Sequence, residues 1–202
     1  MRVVDTFRLV TRALRRAYLP ITSFLLVYFI AVLVGIRMVH SGSDLALSFR
    51  DDLIAKAQAS QILQSYHEGS RFKAAFLDFG ENLLVAFANT ISGLSILVPY
   101  PIAAFRGWVV GIVSVDSSHA SRLVEFGDAF YYLSTVFLQM IPYSLAGGAG
   151  VHLGLSYIFP KPYYEGEKWL RLPKEAIRDV LRIFALVVPL FLIASLWEFL
   201  SA

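Results

Sequence analysis

Four stretches of this 202-residue chain carry no Lys, Arg, Asp or Glu, and they constrain its fold more than any other feature. They cover residues 17–36, 82–105, 129–160 and 183–197, which makes them 20, 24, 32 and 15 residues long. A helix rises about 1.5 Å per residue, so crossing about 30 Å of hydrocarbon takes about 20 largely apolar residues. The first run meets that length unaided. The second is interrupted by Pro99-Tyr100-Pro101, the third exceeds one straight helix, and the last needs its flanks. Hydrophobic residues make up 57% of the chain, charged residues 16%, and the mean hydropathy is +0.62. Soluble domains hold about 45–50% apolar and about 25% charged residues, so a soluble enzyme, a disordered regulator and a disulfide-stapled domain are all excluded. The chain has no cysteine, which removes disulfides and thiolate chemistry, and its net charge of +3 is too small to argue for nucleic acid.

A Pro-Tyr-Pro step removes two backbone donors and disfavours helix in the residue before each proline. The second run therefore predicts two helices, about 82–98 and 102–115, joined by a tight turn near Arg106, the latter helix being short. The whole is expected to be an all-α polytopic bundle of about five transmembrane helices, forming one membrane domain over 1–202. Orientation follows from where Lys and Arg gather, because they favour the cytoplasmic side. The N-terminus has Arg2, Arg8, Arg12, Arg15 and Arg16 against Asp5. Residues 40–81 hold four basic and six acidic side chains, and 116–128 hold Arg122 against Asp116, Glu125 and Asp128. Residues 161–182 hold six basic and four acidic ones. Basic, acidic, acidic, basic predicts a cytoplasmic (inner) membrane protein with its N-terminus cytoplasmic, its C-terminus extracytoplasmic and Arg106 on the inner side.

Residues 1–16 predict an interfacial amphipathic helix, with Val3, Phe7, Val10 and Leu14 on one face and arginines largely opposite. Such a helix suits anionic headgroups. A cleaved signal peptide competes with this reading, but no small-residue cleavage site closes the apolar run, so a retained anchor is expected. The extracytoplasmic stretch 40–81 repeats Leu45, Phe49, Leu53 and Ala57 every four residues. One or two amphipathic helices near the outer leaflet follow from that spacing.

Inside lipid, helices associate through small residues and polar contacts rather than hydrophobicity. Asn82, Ala86, Asn89 and Gly93 fall on one helix face, and Thr135, Gln139, Pro142, Ala146 and Gly150 on another. Gly150 and Gly154 form one GxxxG pair, Gly107 and Gly111 a second, and Gly147-Gly148 invites a kink or a break in the long run. Neutral amides in a span each contribute about 0.6 kcal/mol to helix packing. Packing is thus expected ahead of a ligand site, with a polar path or a partner groove as the alternative. Arg37, Glu81, Arg106 and Glu198 lie at span ends, where the interface can satisfy them. His152 alone sits well inside a charge-free run, where a structurally paired neutral imidazole near the inner interface is expected; Tyr157 and Lys161 follow closely. No catalytic motif is visible, and His40, His67 and His119 have no metal-ligand spacing. No catalytic residue, cofactor or metal is therefore expected.

The stretch Asn82-Leu-Leu-Val-Ala-Phe-Ala-Asn-Thr-Ile-Ser-Gly93, followed by Phe105-Arg-Gly-Trp-Val-Val-Gly111, resembles the stage II sporulation protein M family. So do Pro142 to Gly154, with its closing Gly-x-x-x-Gly, and Pro189 to Glu198. Together these cover most of 79–199. The sequence departs from the family pattern at Arg106 (an Asn in the family), at Thr135-Val136 (His-Gly) and at Gln139 (Glu). The resemblance implies a five-span fold and a partner-binding role, as in the sporulation member, a polytopic scaffold that localises cell-wall-degrading partners.

The expected function is a non-enzymatic membrane scaffold or complex subunit that docks partner proteins. A permease-like subunit driven by a separate ATPase is the alternative, and an intramembrane enzyme ranks last for want of paired acid-base groups. Expected partners are other membrane proteins and lipid, with a homo-oligomer left open and no nucleic acid. The residues expected to serve packing or docking are Asn82, Asn89, Gly93, Arg106, Gly107, Gly111, Gln139, Gly147, Gly150, Gly154 and Glu198.

Overall fold

A computed structural model describes residues 3–159, 164 and 166–201, without the side chains of 3–5. Arg2, Pro160 and Lys161, together with the side chains of Val3 and Asp5, lie outside the described residues. The fold is all-helical. It comprises α1 (Val3–Arg16), α2 (Tyr18–His40), α3 (Asp44–Gln58), α4 (Gln61–His67), α5 (Arg71–Ser92), α6 (Pro99–Ile112), α7 (Phe126–Ile158) and α8 (Lys174–Leu200). A two-residue strand pair, Lys168–Trp169 with Leu172–Pro173, precedes α8. Helix α7 is the hub, packing on α2, α5 and α8, while α2 also packs along α6. Phe24 and Tyr28 of α2, Tyr143 and Ala149 of α7, and Ile183, Val187 and Phe191 of α8 form the buried centre.

Two helices among the described residues, α2 and α8, are long and apolar enough to cross a membrane. Helix α6 has 14 residues, a rise of about 21 Å, which falls short of about 30 Å of hydrocarbon. The break in the second run lies at 93–98 and not at Arg106. A 3-10 turn, Gly93–Ser95, ends α5, and Ile96 takes a φ of +62°, an unfavourable value for a β-branched residue. Pro99 and Pro101 then occupy the first turn of α6, where a missing N–H costs nothing. Arg106 consequently sits in mid-helix, so the charge count loses it as a turn marker. Nor does the long run divide at Gly147-Gly148: α7 is one helix of 33 residues with Pro142 inside it.

The amphipathic flanks form as helices, with altered faces. In α1, Val10 and Ala13 are buried, but Phe7 is 73% exposed. In α3, Leu45 is 68% exposed, and Ala46 and Arg50 turn inward instead. Phe49 directs that rotation by packing on Trp108 and Phe105 of α6, at 5.0 and 6.1 Å between ring centroids. The Arg50 guanidinium donates to the Val115 carbonyl at 3.3 Å and pairs with Asp51 at 2.7 Å.

Candidate functional site

The glycines are spent inside the chain. A Cβ on Gly93 would lie 2.5 Å from Gly150 Cα, and one on Gly154 would meet the Gly93 carbonyl. Gly35 and Gly111 are equally tight, at 2.9 Å from such a Cβ to the facing Cα, and Gly107 faces the Tyr28 carbonyl. Gly147 lies under the Phe24 ring. These contacts join α5 to α7, α6 to α2 and α7 to α2, so Gly93, Gly107, Gly111, Gly147, Gly150 and Gly154 serve internal packing. All six are buried within the chain.

A polar core crosses the bundle beside those seams. Helix α5 starts at Arg71, eleven residues before its charge-free run, and thereby carries Asp78 into the fold. Asp78 Oδ2 accepts from Asn82 Nδ2 at 2.8 Å and from the Ser195 hydroxyl at 2.7 Å. Asn82 Oδ1 accepts from the Tyr143 hydroxyl. Arg106 Nη2 donates to that same hydroxyl oxygen at 2.6 Å, and its guanidinium carbon stands 4.1 Å from the centre of the Tyr143 ring. A second arm runs from Gln139 Nε2 to Glu198 Oε2 at 2.5 Å, while Tyr131 donates to the Glu198 carbonyl at 2.5 Å. Two carboxyl groups, Asp78 of α5 and Glu198 of α8, and the Arg106 guanidinium of α6 are thus each hydrogen-bonded by neutral side chains of the bundle. An ionisable group inside a membrane bundle is costly to keep there, which makes this core the leading functional candidate.

Of the residues singled out in the sequence, Asn82, Arg106, Gln139 and Glu198 meet in this core. Asn89 is buried apart from it, with its side-chain oxygen 3.4 Å from the Ser92 hydroxyl. Asp78, Tyr143 and Ser195 were missed: Asp78 lies outside the charge-free run, and the other two read as span filler. The one available signal was Asp78 standing four residues before Asn82, on the same helix face. Arg106, expected at an interface, is held instead by Tyr143.

A separate cluster closes the far end of the bundle. Asp179 is fully buried, and it pairs with Arg16 at 3.0 Å and Arg182 at 2.9 Å. It also accepts from the Tyr164 hydroxyl at 2.9 Å, and that hydroxyl bonds His152 Nε2. His152 is therefore structurally paired, and Arg16 ties α1 to α8.

No curated protein and no solved structure matches the chain. A family model, stage II sporulation protein M, matches residues 24–201 and takes in every element of the polar core. With α2 and α8 able to span a bilayer, that match points to a membrane protein. The chain belongs to the stage II sporulation protein M family.

Proposed function

We propose that this chain is a non-enzymatic, five-span subunit of a larger membrane assembly, and that it docks partner membrane proteins. In this reading α2, α5, α6, α7 and α8 span the bilayer, α6 as the short member of a hairpin with α5. The N-terminus is cytoplasmic and the C-terminus extracytoplasmic, as the distribution of arginine and lysine supports. The observation that carries the docking role is a groove of about 700 Å³ along α7 and α8, lined by Phe126, Phe130, Leu133, Phe137, Leu138 and Trp197. Phe126 is 84% exposed and Phe130 55% exposed, so this wall is open to a neighbour. An apolar transmembrane helix of a partner suits such a groove. The test is mass spectrometry of the natively expressed protein, purified in mild detergent without crosslinker. A stoichiometric membrane partner is expected. A clean monomer or homo-oligomer would overturn the docking role.

The polar core favours a second reading, a permease-like subunit driven by a separate ATPase. Discontinuous helices and midplane polar groups are common in transporters, and the 93–98 break supplies the first of these. That reading expects an ATPase among the partners. It also expects Arg106→Ala to stop substrate flux while leaving the assembly intact.

A further inference from the structure

The connection between α6 and α7 is pinned by its own hydrogen bonds. Val115 bridges Ser121, the Asp116 N–H donates to the Ala120 carbonyl at 2.8 Å, and the Arg122 N–H donates to the Ser114 carbonyl at 2.9 Å. Asp116 Oδ1 accepts from the N–H groups of Ser118 and Ala120, at 2.8 and 2.9 Å, which closes the turn. The Ser121 hydroxyl lies 2.7 Å from His40 Nε2 and so ties the loop to α2. Between this loop and the start of α7 lies a cavity of about 350 Å³, lined by Asp116, Ser121, Arg122, Asp128, Tyr131 and Tyr132. Small-molecule sites typically occupy about 300–1,000 Å³, so the cavity is large enough for one.

Two charges in its wall are unused. Among the described residues, the side chains of Arg122 and Asp128 make no hydrogen bond and no ion pair. For Arg122 this is exceptional. The other described arginines that are withdrawn from solvent all donate to an acceptor: Arg16 and Arg182 to Asp179, Arg50 to the Val115 carbonyl and Arg106 to Tyr143. Arg122 is partly buried yet has only the field of Asp116 nearby, without an ion pair. Tyr131 and Tyr132 give their hydroxyl protons to the Glu198 and Val110 carbonyls and leave the guanidinium unengaged. A guanidinium cannot shed its charge, so its donors call for an acceptor from outside the chain. The mixed signs select which one. A simple anion at Arg122 would face the carboxylates of Asp116 and Asp128, and a simple cation at those carboxylates would face Arg122. A molecule that carries both charges meets both needs.

We propose that this cavity binds a small zwitterion of the α-amino-acid class, its carboxylate on the Arg122 guanidinium and its ammonium on Asp128 and Asp116, against Tyr131 and Tyr132. Planar pairing of guanidinium with carboxylate supplies the geometry for the first contact. The site goes beyond the docking role and shares no lining residue with the groove that carries it. Its exposure to the extracytoplasmic side rests on the orientation proposed above, whereas the site itself does not.

The test titrates the full chain, purified in mild detergent, with each common α-amino acid in turn by calorimetry, and then with acetate and methylammonium as the separate halves. At least one amino acid is expected to bind, and neither half is expected to bind at the same concentration. Arg122→Gln and Asp128→Asn are each expected to weaken that binding about tenfold or more, the factor for a hydrogen bond to a charged group. Neither side chain holds another group in place, so the melting temperature without ligand should stay the same in both variants. Absence of binding by every amino acid would overturn the proposal. So would acetate binding as tightly as the amino acid (an adventitious ion only), or binding that Arg122→Gln leaves unchanged. Because the isolated chain is measured without partners, failure here leaves the docking role standing, and the reverse also holds.

Discussion

The seam between α2 and α6 and the seam joining α5, α7 and α8 solve the same problem with different chemistry. Along α2 and α6, Gly35, Gly107 and Gly111 bring backbone against backbone, and the side-chain hydrogen bonds described across that contact, Ser23 with Tyr100 and Trp108 to Met38, lie on either side of those glycines. Along α5, α7 and α8, one end repeats this device with Gly93, Gly150 and Gly154, while the other end opens into the Asp78, Asn82, Tyr143 and Glu198 core. Inside lipid there is no hydrophobic gain in bringing two apolar faces together, so close approach must supply the attraction. At the α2 and α6 glycines, backbone contact takes that role. The polar core adds ionisable side chains to helices that glycines already bring close, and their cost inside a membrane bundle is why it is read as functional.

The largest effect should come from the dry contacts. Gly150→Leu, whose side chain would enter the backbone of Thr90, is expected to prevent recovery of folded protein, a loss of about 3 kcal/mol or more. Loss of the protein itself is the readout, so this substitution cannot report on partner binding. The polar core should yield less. Asn82→Leu is expected to lower thermal stability in detergent by about 0.6–1.7 kcal/mol, the range of single polar contacts between membrane helices. If Asn82→Leu costs as much as Gly150→Leu, the distinction between the two seams fails.

Smaller changes sharpen the same contrast. A Cβ at Gly80 meets nothing within 4 Å, so Gly80→Ala is expected to raise stability by up to about 1 kcal/mol, opposite in sign to Gly150. Tyr100→Phe removes a partner 2.8 Å from the Ser23 hydroxyl, and about 0.6 kcal/mol should be lost in the same unfolding assay. The smallest effect lies outside the bundle. Hydrogen bonds from Arg50, and then from His119, hold the exposed Asp51 carboxyl below its ordinary value. A lowered carboxylate stabilises the fold above its ordinary value and loses that contribution as pH falls through the lowered one. Amide exchange in α3 is therefore expected to quicken in that acidic window while exchange in α7 stays slow.

The sequence conveyed element type and small-residue packing well, because both depend on spacing within one segment. Helices over both amphipathic flanks, the glycine contacts and a paired His152 were all legible in it. Where helices end was not. Pro99 and Pro101 read as a break with a turn at Arg106, yet prolines are compatible with a helix's first turn, so the break shifted to Gly93–Val98. The polar core was half legible for a related reason. Asn82, Arg106, Gln139 and Glu198 were each visible as polar groups near a span, but their meeting depends on the relative rotation of four helices. Asp78 escaped because charge-free counting started α5 eleven residues late. Asp179 escaped because it stands among solvated charges in the sequence, and only the fold brings Arg16 from the other end of the chain to cover it.

The claim at the centre of this account is that the open α7 and α8 wall docks a partner while the polar core does not hold it. The most direct measurement is co-purification from native membranes of wild type, Phe130→Ala/Phe137→Ala and Arg106→Gln, each with its partner quantified by mass spectrometry against inserted protein. The account predicts that the double phenylalanine variant inserts normally and loses the partner, whereas Arg106→Gln retains it. Full retention by the double variant, with loss in Arg106→Gln, would contradict it and move the docking surface to the polar core.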